Sequence, residues 1–220
     1  MHACQLPITG LQSGTELIDW LDTLALPQEA ALADTAYADS VYRQFGESLL
    51  RNGITGSIVV AHAIYLNDRE KKVIRDTGML VAHCPHSNLN LLSGVIPLAQ
   101  YHDLGIRVGL GSDVGAGHTL NMFDNIVGAV QSGAMSYLTG QASRPVPAAE
   151  AFYCATKGGG SFFGKTGSFE PGYAFDALVV DGSRWTQHRQ MSLPQRVEKL
   201  IYCGDDRNIE HVYLNDRRLR

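Results

Sequence analysis

Short apolar runs, each closed by polar groups, recur along the middle of the chain. Ile58 to Ala61 ends at His62, Met79 to Ala82 ends at His83, and Ile106 to Leu110 leads through Gly111-Ser112 to Asp113. Apolar runs of roughly four to eight residues without alternation read as parallel strands buried on both faces. Helical stretches separate them. Asn67 or Asp68 caps one that reaches Arg75 before the Asp76-Thr77-Gly78 turn, and another follows Ser93-Gly94 and passes through His102. The order strand, helix, strand, helix, strand predicts βαβ units in an α/β fold. In such folds the chemistry gathers at the carboxyl ends of the strands, where His62, His83 and Asp113 stand.

The flanks are less regular. Residues 1–13 read as loop, Thr15 caps a helix that Pro27 ends, and Asp34 starts another, with Tyr37, Val41, Phe45 and Leu49 on one face until Asn52-Gly53. After the loop Gly115-Ala116-Gly117, Thr119 or Asn121 starts a helix through Ala134. Pro147 starts one expected to stop before Gly158-Gly159-Gly160, with those glycines as its terminator. Beyond Gly160 turn residues dominate. Ala177 to Val180 and Val212 to Asp216 read as pieces of a small β layer.

Length and composition narrow the possibilities. At 220 residues the chain can bury one sizeable core. It is shorter than the roughly 250 residues of a closed eight-stranded α/β barrel. A net charge of -4 with 18% charged residues offers no basic face to nucleic acid. The cysteines Cys4, Cys84, Cys154 and Cys203 are far apart and form no CxxC pair, which suits free thiols in a reducing cytoplasm. No apolar stretch approaches the ~20 residues of a membrane span. A soluble cytoplasmic protein with a small-molecule ligand is expected.

Asp113 lies between Gly109-Leu110-Gly111 and Gly115-Ala116-Gly117, which leave it little cover. As a buried carboxylate it needs a partner, for which a metal ion is one choice and a turn or helix cap the other. His62 reads as a core histidine or a functional one, and His83 as a functional group or an anchor of the loop backbone. Ser87 and Asn88 suit hydrogen bonds to a polar heterocycle as well as ordinary turn contacts. His86, His102, His118, His188 and His211 lack strand-end context and read as surface or structural. The H-x-E and P-C-x-x-C pair of nucleoside-type zinc deaminases and the G-x-S-x-G elbow are missing from the sequence, and Gly159 to Thr166, which has the G-x-x-x-x-G-K-[ST] spacing, follows a helical stretch that Gly158-Gly159-Gly160 are expected to end, so phosphate cradling is not expected.

His83-Cys84-Pro85-His86-Ser87-Asn88-Leu89 with Ser93-Gly94, Val108 to Gly117, Ala155 to Gly159, Gly167 to Gly172 and Gly204 to Ile209 together resemble the metal-dependent amidohydrolases, and within them the guanine deaminases. His2-Ala3-Cys4-Gln5 is similar to the end of their first-strand H-x-H-A-P-Q motif, with Cys4 in place of proline. The resemblance covers nearly the whole chain. It implies a partial TIM-type (β/α) barrel over 1–165, with an internal deletion near 53–57, and a C-terminal helix and β layer over 166–220.

The resemblance further implies hydrolytic deamination of guanine to xanthine and ammonia by a metal-activated water, with one zinc, or another divalent metal such as iron. By it His2 and Asp113 hold the metal, His62 and Asp113 are catalytic, and Gln5, Ser87 and Asn88 contact the purine. The family's H-x-x-E glutamate and fifth-strand histidine have no counterpart, which leaves two of its metal ligands and implies low turnover. Alternatives are a non-catalytic remnant or a deaminase of another heterocycle. The expected partners are a purine substrate and further copies of the chain, since a barrel without its middle exposes strand edges.

Overall fold

A computed structural model describes residues 3–9, 11, 17–51, 59–183 and 190–220, in two compact units, Met1–Gly56 and Ser57–Arg220. The junction expected near 53–57 lies outside the described residues, as do the cap Thr15 and the stop Asn52-Gly53.

The first unit is helical. A 3-10 turn over Ala3–Ile8 precedes α1 (Leu17–Trp20), a π turn (Leu21–Ala25), α2 (Leu26–Ala31) and α3 (Thr35–Arg51). Pro27 does not end the helical run as expected. It follows closely on the π turn, where the Leu26 N–H reaches back five residues to the Leu21 carbonyl and the helical run continues through the proline. Asp34 caps α3 as expected, its Oδ1 accepting from the Ala36 N–H at 2.9 Å and the Tyr37 N–H at 3.3 Å.

The second unit holds a parallel sheet of β1 (Val59–Ala61), β2 (Leu80–His83) and β3 (Arg107–Leu110), in that order. Its connections carry α4 (Asp68–Thr77), α5 (Pro85–Asn90) and α6 (Leu98–Asp103). The chain is thus α/β, with the predicted alternation. Asn67 and Glu70 close a reciprocal capping box at the start of α4, and Gly78 ends it at φ 69°. Val81, Val108, Tyr101 and Ile96 are buried in one core with Ile126 and Ala129 of α7 (Met122–Leu138). Asn121 caps α7, which runs one turn past the expected end at Ala134.

The glycines at 158–160 correct the sequence expectation. After α8 (Ala148–Tyr153) the chain makes a π turn over Cys154–Gly158 and stays helical through Gly160. A Cβ on Gly158 would lie 2.6 Å from the Val108 carbonyl oxygen, and one on Gly109 would lie 2.8 Å from the Gly159 Cα. These glycines let the helical segment approach β3 backbone to backbone. Gly109→Ala is therefore expected to destabilise the fold by about 1–3 kcal/mol. An unchanged urea midpoint would show that the two backbones are not in contact.

A separate antiparallel sheet joins β4 (Ala177–Val180), β5 (Ile209–Leu214) and β6 (Arg217–Arg218), while α9 (Leu193–Cys203) packs on α7. β5 starts three residues before the expected Val212 because Asn208 anchors its entry, donating from Nδ2 to the Asp181 carbonyl at 2.9 Å. Asn215 and Asp216, at φ 47° and 62°, form the tight turn to β6. Among the described residues no helix is long and apolar enough to cross a membrane.

Candidate functional site

The chain leaves β1 through two left-handed residues, His62 at φ 64° and Ala63 at φ 50°. Such backbone costs of order 1–3 kcal/mol per residue and persists only where neighbours hold it. Three hydrogen bonds do so here: the His62 N–H to the Ala82 carbonyl at 2.9 Å, the Ala63 N–H to the Ala61 carbonyl at 2.8 Å, and the fully buried Tyr101 hydroxyl to the Ala63 carbonyl at 2.5 Å. Asp113, beyond β3, is also left-handed at φ 47°, and its carbonyl accepts from the Gly117 N–H at 2.6 Å. A Cβ on Gly117 would lie 1.9 Å from the Ser112 carbonyl oxygen, so this closure requires glycine.

These turns bring His62 and Asp113 to one pocket of about 300 Å³, lined also by Ile64, Tyr65, Ser87, Asn88, Leu91 and Ser93. That volume is at the lower end of small-ligand sites, roughly 300–1,000 Å³. His62 Nε2 stands 3.9 Å from Asp113 Oδ2, and His62 Nδ1 stands 2.7 Å from Asn88 Oδ1. With the Asn88 amide so oriented, Nδ1 donates, and the Nε2 lone pair of a neutral ring faces the carboxylate. Among the described residues the amide's own Nδ2 has no partner, and Asn88 is only 2% exposed.

Asp113 departs from expectation in one respect. Its side chain is 39% exposed, because the glycines that strip its cover leave it open to the pocket and to water. Ser87 is buried and lines the pocket, but its hydroxyl donates to the Cys84 carbonyl at 3.2 Å, leaving the oxygen lone pairs for a ligand. His83 does not line the pocket. It is 1% exposed, neither ring nitrogen has a partner among the described residues, and burial, followed by the charges of His62 and His102, pulls its pKa down to about 3.

Cys84, which sequence reasoning passed over as a plain thiol, does not line the pocket either but stands near its two polar groups. One donor atom from each of His62, Cys84 and Asp113 lies within 4.8 Å of the others. Burial and then the Asp113 charge push its thiol up to about 11. The signal was present: Cys84 directly follows the last residue of β2, at the carboxyl end of the sheet. Gln5 lies in the first unit, where its Nε2 donates to Glu29 Oε1 at 2.9 Å, and His2 lies outside the described residues.

A second cluster is structural. His102 bonds Glu150 through Nδ1 and meets Cys154 Sγ at 3.3 Å through Nε2, while Arg144 clamps Glu150 at 2.7 Å and Asp103 at 2.8 Å. Cys154 is wholly buried, with its thiol pushed up to about 12 by that burial and then by Glu150, so this nucleophile-like array reaches no substrate.

The family model described as Amidohydrolase family matches residues 25–219. Guanine deaminase of Mus musculus is 32% identical over 179 residues, covering 76% of this chain and 39% of that protein. Guanine deaminase of Escherichia coli (strain K12) is 32% identical over 212 residues, covering 92% and 45%. The crystal structure of guanine deaminase from C. acetobutylicum, with guanine bound in its active site, superposes with a TM-score of 0.76 at 39% identity, covering 86% of this chain and 45% of that one. The chain thus spans less than half the length of these relatives.

Proposed function

The chain belongs to the amidohydrolase family, and from that premise we propose that its pocket is built for the hydrolytic deamination of guanine to xanthine and ammonia, on a partial (β/α) barrel. The observation that carries this is the meeting of His62 and Asp113 from separate strand ends across a cavity that Asn88 also lines. Similarity to guanine deaminases at about a third identity supports the choice of substrate.

The donor set suits a divalent metal such as zinc, since imidazole, thiol and carboxylate lie within reach of one point. When bound, such an ion supplies a water acidic enough to act as a nucleophile near neutral pH. Asp113, partly open to the pocket, would hold the ion and would accept the proton of the attacking water. His62 is oriented by Asn88 and presents its Nε2 lone pair beside Asp113, where it would accept a hydrogen bond from the attacking water and orient it. The free Nδ2–H of Asn88 donates to an acceptor on the purine, its cheapest available partner.

The family's glutamate, which has no H-x-x-E counterpart here, is the proton shuttle to the ring and the departing amine. Turnover by this chain is accordingly expected about 10²–10⁴-fold below that of a complete deaminase. Purified, zinc-loaded chain is assayed for guanine binding at equilibrium and for xanthine and ammonia release. Guanine binding weakened by Asn88→Ala, with slow xanthine formation that a chelator stops, is the expected outcome. Failure of both binding and metal-dependent xanthine release would overturn the assignment.

A further inference from the structure

We propose that Tyr101 is the positioning residue of the pocket, its buried hydroxyl holding the turn that presents His62 to Asp113. The proposal rests on the reading of His62 and Asp113 as the reacting pair and names what sets their geometry. At the end of β1 the Ala63 N–H donates to the Ala61 carbonyl, two residues back, at 2.8 Å, which closes a three-residue turn centred on His62. His62 stands there at φ 64°, the hand of the rarer and more strained form of such turns, and Ala63 follows at φ 50°. Neither residue is glycine, so nothing in the local sequence favours this path. The His62 N–H is tied to β2 and the Ala63 N–H to the turn itself, while the carbonyl of buried Ala63 is the point at which α6 grips it.

Tyr101 lies in α6 and is wholly buried in the core with Val81, Ile96 and Val108. Its ring, locked by packing, is a rigid spacer between the helix and the turn, with the hydroxyl at its far end 2.5 Å from the Ala63 carbonyl oxygen. Burial, and then the charge of Glu70, pushes that hydroxyl up to about 12, so it stays a donor at neutral pH. The main chain of Tyr101 reaches the other arm of the pair. Its carbonyl accepts from the Ile106 N–H at 2.9 Å, at the entry to β3, the strand that leads to Asp113. One residue thus ties the turn carrying His62 and the strand toward Asp113 to a single helix, and the 3.9 Å between His62 Nε2 and Asp113 Oδ2 is set across that tie. A phenylalanine at 101 keeps the packing but takes away the donor to the buried Ala63 carbonyl, and the cheapest relief is for the turn to rotate toward water, carrying His62 with it. A displacement of about 1 Å at a reacting group costs on the order of 10²-fold in rate.

Tyr101→Phe in the full chain tests this, read by NMR and by xanthine formation in the zinc-loaded protein. The backbone and Cβ carbon shifts of His62 and Ala63, which report left-handed backbone, are expected to move toward ordinary values. Xanthine formation is expected to fall at least tenfold while the guanine dissociation constant stays within threefold. Ile201→Val, a similarly mild cut in the same core from α9, keeps both the shifts and the rate. In the unmutated chain the Tyr101 hydroxyl proton should exchange slowly and show a nuclear Overhauser contact to Ala63, a reading that needs no variant. Carbon shifts unchanged by Tyr101→Phe, absence of the contact to Ala63, or a loss of turnover that Ile201→Val reproduces overturns the proposal. If the unmutated chain neither binds guanine nor forms xanthine while the shifts move as expected, the deaminase assignment falls and Tyr101 stands as the holder of the His62 turn. If the unmutated chain and Tyr101→Phe deaminate guanine equally fast, the positioning role falls and the deaminase assignment stands.

Discussion

Asp113→Asn is expected to lower guanine-to-xanthine turnover by about 10³-fold or more while leaving the thermal unfolding midpoint nearly unchanged. The expectation of a preserved fold follows from the backbone. Position 113 is left-handed, at φ 47°, and asparagine tolerates that region as well as aspartate does. The side chain is partly exposed, and the bond at the bend is donated by the Gly117 N–H to the main-chain carbonyl of Asp113, not to the carboxylate. The loss of rate follows from two roles removed together. An amide neither accepts the water's proton, an effect worth about 10²–10⁴-fold, nor offers a charged oxygen to a divalent ion. Turnover within tenfold of the parent would show that Asp113 is only a turn residue, the other reading its sequence context allows.

The strand ends were legible because a parallel sheet favours short unbroken apolar runs, and three such runs stop at polar groups, although only β2 and β3 are largely buried as expected while the edge strand β1 exposes Val59 and Ala61. Capping at Asn67 and Asn121 was legible for a similar reason, since the backbone N–H groups of a helix start are satisfied locally. What stayed hidden depends on neighbours distant in sequence. Gly158 and Gly159 look like a helix stop until β3 is laid against them, when their missing Cβ atoms become the condition for contact. Pro27 looks like a breaker unless a π turn precedes it. In the site, the histidine with the weaker sequence case, His83, is enclosed beside the pocket, and the following residue, Cys84, carries the donor atom. One residue of phase at a strand end decides which of two adjacent side chains comes near the pocket's polar groups, and sequence reading resolves element ends no better than that.

Acidification is expected to destabilise the fold by about 1.4 kcal/mol per pH unit below about pH 6.5, through His83. Its ring is buried with no partner on either nitrogen among the described residues, and burial with the charges of His62 and His102 holds its folded pKa at about 3, against 6.5 in the unfolded chain. Between those values the unfolded chain takes up a proton that the folded chain refuses, so stability falls as pH falls, and the loss stops near pH 3 where both forms are charged. The accumulated cost, about 4–5 kcal/mol, compares with the 5–15 kcal/mol by which a whole domain is stable. Glu150 shifts in the other sense: burial raises it, but the hydrogen bonds from Arg144 and His102 prevail and hold it below 4.5. The stability it contributes is present above its unfolded pKa and lost only below about 4.5, leaving the window from 6.5 to 4.5 to His83. His83→Leu replaces the ring with an apolar side chain and removes two orphaned polar atoms, each costing about 1–3 kcal/mol when buried unpaired. Urea unfolding at a series of pH values, with chelator present so that no metal is released, should then give a variant whose stability is flat across that window and exceeds the parent's at pH 5. Equal slopes for the two proteins would show that His83 finds a proton partner in the folded chain.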